Sequence, residues 1–141
     1  MAYRDILVQV DDKPAAAERV GLAAALAVRS AAHLSGAFLR GRFLPNVIGV
    51  GQPFLYITPG DYDALVRGQE AAVEQASETA RATFEAAAAE VELESDWRLV
   101  DGDTDDQFMA LARRTDLTIM PRVAEVCCGV HEVAAADVAM A

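Results

Sequence analysis

Two aspartates, Asp11 and Asp12, close the apolar run Ile6-Leu7-Val8-Gln9-Val10. A carboxylate there can accept a hydrogen bond from a ligand's base or ribose, and it can equally prepare the start of a following helix. Far along the chain stand Cys127 and Cys128, with His131 four residues beyond the first of them. On a helix that spacing lets a thiol face an imidazole, the couple a thiol-dependent enzyme needs, although no acid is spaced to orient it. The two thiols themselves point about 100° apart when helical. No CxxC occurs and the only histidines are His33 and His131, so no metal site is expected and the cysteines read as small buried apolar residues. Gly49-Val50-Gly51 is half of a dinucleotide fingerprint, without its third glycine and without a strand-to-helix turn. Lys13 reads as a solvated point charge.

Such residues act only where secondary structure puts them. Asp5 to Asp11 is nearly continuous apolar chain ending in acids, the pattern of a parallel strand covered on both faces. Lys13-Pro14 supplies a helix entry. Behind it Ala16, Val20, Ala24, Ala27 and Ala31 make one small-residue face, suited to lying close on a sheet. Leu34 to Leu39 reads as a second strand, and strand, helix, strand implies a right-handed parallel crossover. Arg40 to Gly60 combines Pro45, Pro53 and Pro59 with Phe43, Leu44, Phe54 and Ile57, too apolar for a linker; a lid, a contact surface or a concealed short strand is expected. Asp61 is the expected cap of a long helix to about Glu90, with Val73, Ala76, Ala80, Phe84, Ala87 and Val91 on its buried face. Asp96 to Val100 is a third strand, and Asp101-Gly102-Asp103-Thr104 a turn and cap. Phe108, Leu111 and Ala112 mark the buried side of a short helix ending near Thr115, and Leu117 to Met120 is a fourth strand stopped by Pro121. Residues 123–140 have helical spacing.

In a parallel α/β sheet ligands settle beyond the carboxyl ends of the strands, where strand order reverses. The candidate residues are therefore Asp11 and Asp12, Leu39 and Arg40, Gly102 and Asp103, and Pro121 and Arg122. Leu39 can offer backbone groups to an adenine edge.

Composition narrows the function classes. The 141 residues make one domain, and 29 of them are alanine, so much of the apolar content belongs to helices. Formal charge is −10, and residues 70–106 hold twelve acids against two arginines, which accounts for all of it. Such a surface repels phosphate backbones, so nucleic acid is not an expected partner. No run approaches 18 apolar residues, and adjacent cysteines cannot supply a disulfide framework. No membrane association and a cytoplasmic compartment are expected.

Three segments taken in order, Ile6-Leu7-Val8-Gln9-Val10-Asp11 before an Ala-rich helix, Val100-Asp101-Gly102-Asp103 before a short one, and Thr115-Asp116-Leu117-Thr118-Ile119-Met120, resemble the universal stress protein family over residues 1 to about 122. The segment at 40–60 looks like the first half of tandem-domain members. The resemblance implies a three-layer parallel α/β sheet of flavodoxin-like or adenine-nucleotide α-hydrolase-like type, order 3-2-1-4-5, usually dimeric and in one subclass binding ATP. On the adenine side Asp11 matches the family's aspartate and Leu39 falls where an apolar residue contacts the base. The subclass motif G-x2-G-x9-G-(S/T) would fall on Pro121, Ala124, Ala134 and Ala135, none of which matches. Only 21 residues follow the fourth strand where the family uses about 30, so the expected order is 3-2-1-4, with the fifth strand missing or supplied by a partner and residues 123–141 a divergent helical tail of the same domain.

The resulting expectation is a non-catalytic stress-response module that works as a homodimer or higher homo-oligomer, with at most weak adenine-nucleotide binding. The alternative is an ATP-binding, slowly ATP-hydrolysing switch that uses Asp11, Leu39, Gly102 and amides of the tail. A thiol-dependent enzyme on Cys127 and His131 is a third.

Overall fold

The structure, a computed structural model, describes residues 2–40, 58–101 and 105–121. The first strand, β1, runs Asp5–Gln9 and is buried from Ile6 onward. It stops two residues short of the expected Asp11, although the Val10 N–H still donates to the Ala37 carbonyl at 2.8 Å. Helix α1 spans Ala15–Ser30, entered through Pro14 in helical conformation. Ala16, Val20, Ala23, Ala24 and Ala27 are its buried residues. Ala31, expected on that face, leaves the helix instead: it is exposed and left-handed at φ 52°, ψ 41°. There the Ala32 N–H reaches back to the Ala27 carbonyl at 2.9 Å, a six-to-one bond that closes the last turn.

Strand β2 is His33–Arg40, α2 is Pro59–Glu90, β3 is Ser95–Asp101, α3 is Asp105–Ala112 and β4 is Leu117–Ile119. The cap of α2 is Thr58, not Asp61. The Thr58 hydroxyl accepts from the Asp61 N–H at 3.2 Å and donates to the Asp61 carboxylate at 2.6 Å, so Asp61 serves the cap from inside the first turn. The fully buried stripe of α2 is Ser77, Ala80, Phe84 and Ala88. Val73, Ala76 and Ala87 pack beside it, while Val91 lies past the helix end and is exposed.

All strand pairs are parallel, in the expected order β3-β2-β1-β4. One face of the sheet carries Ile6, Val8, Val10, Leu34 and Phe38 under α1 and α2; the other packs Leu7, Ala37 and Val100 against Phe108 of α3. Helix, sheet, helix is the three-layer arrangement. Gly36 of β2 leaves room for the Phe84 ring, which also packs on Trp97 of β3 at a centroid distance of 5.5 Å. At the opposite side of the sheet Asp116 fixes β4 to β1. Its carboxylate accepts from the Arg4 and Asp5 N–H groups at 2.7 and 3.2 Å, and its own N–H donates to the Asp5 carbonyl.

Among the described residues no helix is long and apolar enough to cross a membrane. The expectations for residues 41–57, for the turn at 102–104 and for the tail from Arg122 onward lie outside the described residues.

Candidate functional site: the strand-end crevice

The chain leaves β1 for β2 on one side and later returns to add β4 on the other, so strand order reverses at β1. In sheets of this kind that reversal opens a crevice at the carboxyl ends. Gln9 is the last residue of β1, and Asp11 follows two positions on.

Asp11 is already engaged. One carboxylate oxygen accepts from the Lys13 N–H at 3.1 Å, bending the chain toward α1. The other meets the Arg19 guanidinium at 3.0 Å, with side-chain exposures of 11% for Arg19 and 18% for Asp11. Arg19 also donates through Nε to the Gln9 carbonyl at 2.8 Å. One guanidinium therefore clamps the last backbone carbonyl of β1 to the first carboxylate beyond it. This serves the helix-entry role of Asp11; each carboxylate oxygen retains a further lone pair for a ligand donor.

Gln9 itself is the unsatisfied member. It is 5% exposed, and its side-chain carbonyl oxygen has no hydrogen-bond partner among the described residues. Strand alternation puts its side chain on the Leu7 face, toward α3. An orphaned buried acceptor costs about 1–3 kcal/mol. Leu39, the apolar candidate, packs partly buried on that same face with Met109 and Met120. Arg40 lies at the exposed end of β2, where its guanidinium meets the Asp101 carboxylate at 2.7 Å, its register partner on β3. Pro121 follows β4 partly buried.

The structure places Asp11 and Leu39 at the same end of the sheet. Gly102, Asp103, Arg122, Ala124, Ala134 and Ala135 lie outside the described residues, as do Gly49-Val50-Gly51, Cys127, Cys128 and His131. Two participants escaped sequence reasoning. Gln9 carried a signal, the one polar residue inside an apolar strand run. Arg19 carried none, because its meeting with Asp11 eight residues away depends on how α1 folds back over the strand end.

The other end of the sheet carries a separate polar group. Burial raises the Asp96 carboxyl, but the Ser35 hydroxyl at 2.5 Å and the Arg98 guanidinium at 2.9 Å outweigh it, with His33 adding to them, so Asp96 sits below its ordinary value. Asp116 is also lowered, chiefly by the backbone N–H groups of Arg4 and Asp5.

Comparison with known proteins places this architecture. No protein-family model matches the chain, and no curated protein does. Among solved structures it is similar to universal stress protein UspA from Lactobacillus plantarum, with TM-score 0.62 and 19% identity over 92% of this chain and 86% of that one. A protein of the universal stress protein family from Burkholderia pseudomallei gives TM-score 0.57 and 20% identity, covering 84% of this chain and 80% of that one. Protein Rv1636 from Mycobacterium tuberculosis H37Rv gives 0.53 and 20%, covering 92% and 79%. At these identities the likeness is one of fold: the chain has the universal stress protein architecture.

Proposed function

We propose that this chain is a universal stress protein-like module of the stress response that acts by homo-oligomeric association and binds adenine nucleotides weakly at most. The observation that carries this reading is Pro121, two positions past the end of β4. Phosphate sites at strand ends are built from backbone N–H groups, and proline has none. The resemblance puts the first phosphate-binding glycine of the nucleotide-binding subclass at this position. With Asp11 held by Arg19 and the Lys13 N–H, the base half of a pocket keeps Leu39 and spare lone pairs, while the polyphosphate half loses its first donor. On this reading the chain has no catalytic residue and works in the cytoplasm.

Titration calorimetry with ATP, ADP and AMP in the presence of Mg²⁺ tests it. Weak binding that does not improve from AMP to ATP is expected; tight ATP binding removes the reading. Sedimentation across concentrations tests the association, which a monodisperse monomer would contradict.

One observation favours the second reading, an ATP-binding, slowly hydrolysing switch. The Gln9 side-chain carbonyl, without a partner among the described residues, is a buried acceptor that a ligand donor would satisfy. Under that reading Gln9→Leu weakens nucleotide binding; under the first it leaves the calorimetric trace unchanged.

A further inference from the structure

The outer edge of β3 is the longest strand edge without a strand partner among the described residues: seven residues, against three for β4 at the other side of the sheet. Leu99 stands on it 53% exposed. Charged residues ordinarily guard such edges against pairing. The charges on the strand are Asp96, Arg98 and, at its far end, Asp101 paired with Arg40; the first two are placed symmetrically about Trp97.

That symmetry has a geometric consequence. When two copies of this strand run antiparallel about a twofold axis normal to the sheet, both keep the same faces, and the register is fixed by whichever residue lies on the axis. Centred on Arg98, the pairing sets two guanidinium groups against each other. Centred on Leu99, it sets Arg98 against Val100 and Trp97 against Asp101. Centred on Trp97, it sets Asp96 of each copy opposite Arg98 of the other and Ser95 opposite Leu99. Only the last register matches opposite charges, and it does so twice. Asp96 and Arg98 are already in contact within one chain at 2.9 Å, so the paired edges would form a ring of four alternating charges. Leu99 would leave water against a second strand.

We infer that the outer edge of β3 is a self-pairing surface whose occupant is a second copy of this chain, joined antiparallel about Trp97 with reciprocal Asp96–Arg98 pairs. The inference deepens the association reading and rests on it. The four-stranded sheet becomes a continuous eight-stranded one, and wrong registers are refused by like-charge or unpaired-charge contacts. The β4 edge offers no comparable self-complementarity, since Leu117-Thr118-Ile119 carries no charge.

The test uses the full chain. Asp96→Arg and Arg98→Asp should each weaken dimerisation about tenfold or more in sedimentation, and the double swap D96R/R98D should restore it to within about threefold, with circular dichroism showing all three folded. A second measurement does not depend on the charges. With Cys127 and Cys128 replaced by serine, the double variant S95C/L99C should oxidise to a covalent dimer, while S95C and L99C alone should not, because only the cross-strand pair comes within disulfide reach. A dimer indifferent to either charge reversal, and without the cross-link, overturns the inference and leaves association standing. A wild-type chain monomeric at every concentration overturns both.

Discussion

Gly36 is where the sheet and its helix layer approach most closely. A methyl group added there would meet three carbons of the Phe84 ring at 2.7 to 2.9 Å. That ring is 1% exposed and held between Gly36 and Trp97, so it has little freedom to retreat. Gly36→Ala is expected to destabilise the fold by about 1–3 kcal/mol, read as a lower urea midpoint with an unchanged slope. The two lowered carboxylates make a second expectation. Asp96 and Asp116 bind a proton less readily folded than at their ordinary value of 3.8. Below that value the unfolded chain is already protonated while the folded one must be driven to it, so stability contributed by these groups is present above about pH 5 and is lost as pH falls through the folded values. Urea midpoints at pH 7 and pH 3 should differ, and Asp116→Asn should shrink the difference. At this scale the sequence was only partly legible. Asp11 and Leu39 could be named because strand ends collect ligands, whereas the Arg19 clamp and the Ser35–Asp96 bond join residues whose separation in sequence says nothing about their meeting.

Helix ends behave alike across the fold. Both long helices finish with a non-glycine residue in the left-handed region, Ala31 at φ 52° after α1 and Glu92 at φ 50° after α2. In each the following N–H reaches the carbonyl five residues back, Ala32 to Ala27 and Leu93 to Ala88. Left-handed backbone crowds a β-carbon against the next carbonyl, which glycine avoids. Ala31→Gly is therefore expected to stabilise the protein by about 0.5–1 kcal/mol, visible as a higher thermal midpoint; a fall would mean that glycine's greater freedom in the unfolded chain outweighs the relieved contact. Elements were the most legible level of this chain. The 16-residue α1 and 32-residue α2 announced themselves through small residues at helical spacing, and the apolar runs through strands buried on both faces. Their ends were not legible. Thr58 rather than Asp61 caps α2, and Ala31 departs from the face its spacing suggested, because termini are settled by local hydrogen bonds that periodicity does not register.

For the whole molecule, charge opposes the assembly proposed for the β3 edge. Each copy carries −10, concentrated between residues 70 and 106, a stretch that includes much of α2 and the whole of β3. Two folded chains of this length in contact have centres about 35 Å apart. In water their repulsion is about 4 kcal/mol at 0.01 M salt, and at 0.15 M it falls to a few tenths or less, because the screening length drops from about 30 to about 8 Å. Cross-strand ion pairs on a sheet contribute only about 0.2–1 kcal/mol each. Salt weakens those pairs too, but its larger effect at low ionic strength is to remove the long-range repulsion. Dimerisation should therefore tighten, on the order of a hundredfold, as salt rises from 0.01 to 0.15 M. Sedimentation at three or four salt concentrations reads this directly. Steady weakening with salt would place the driving force in the ion pairs rather than in the strand edge and its apolar contacts, and Leu99→Ser would then change the dissociation constant little.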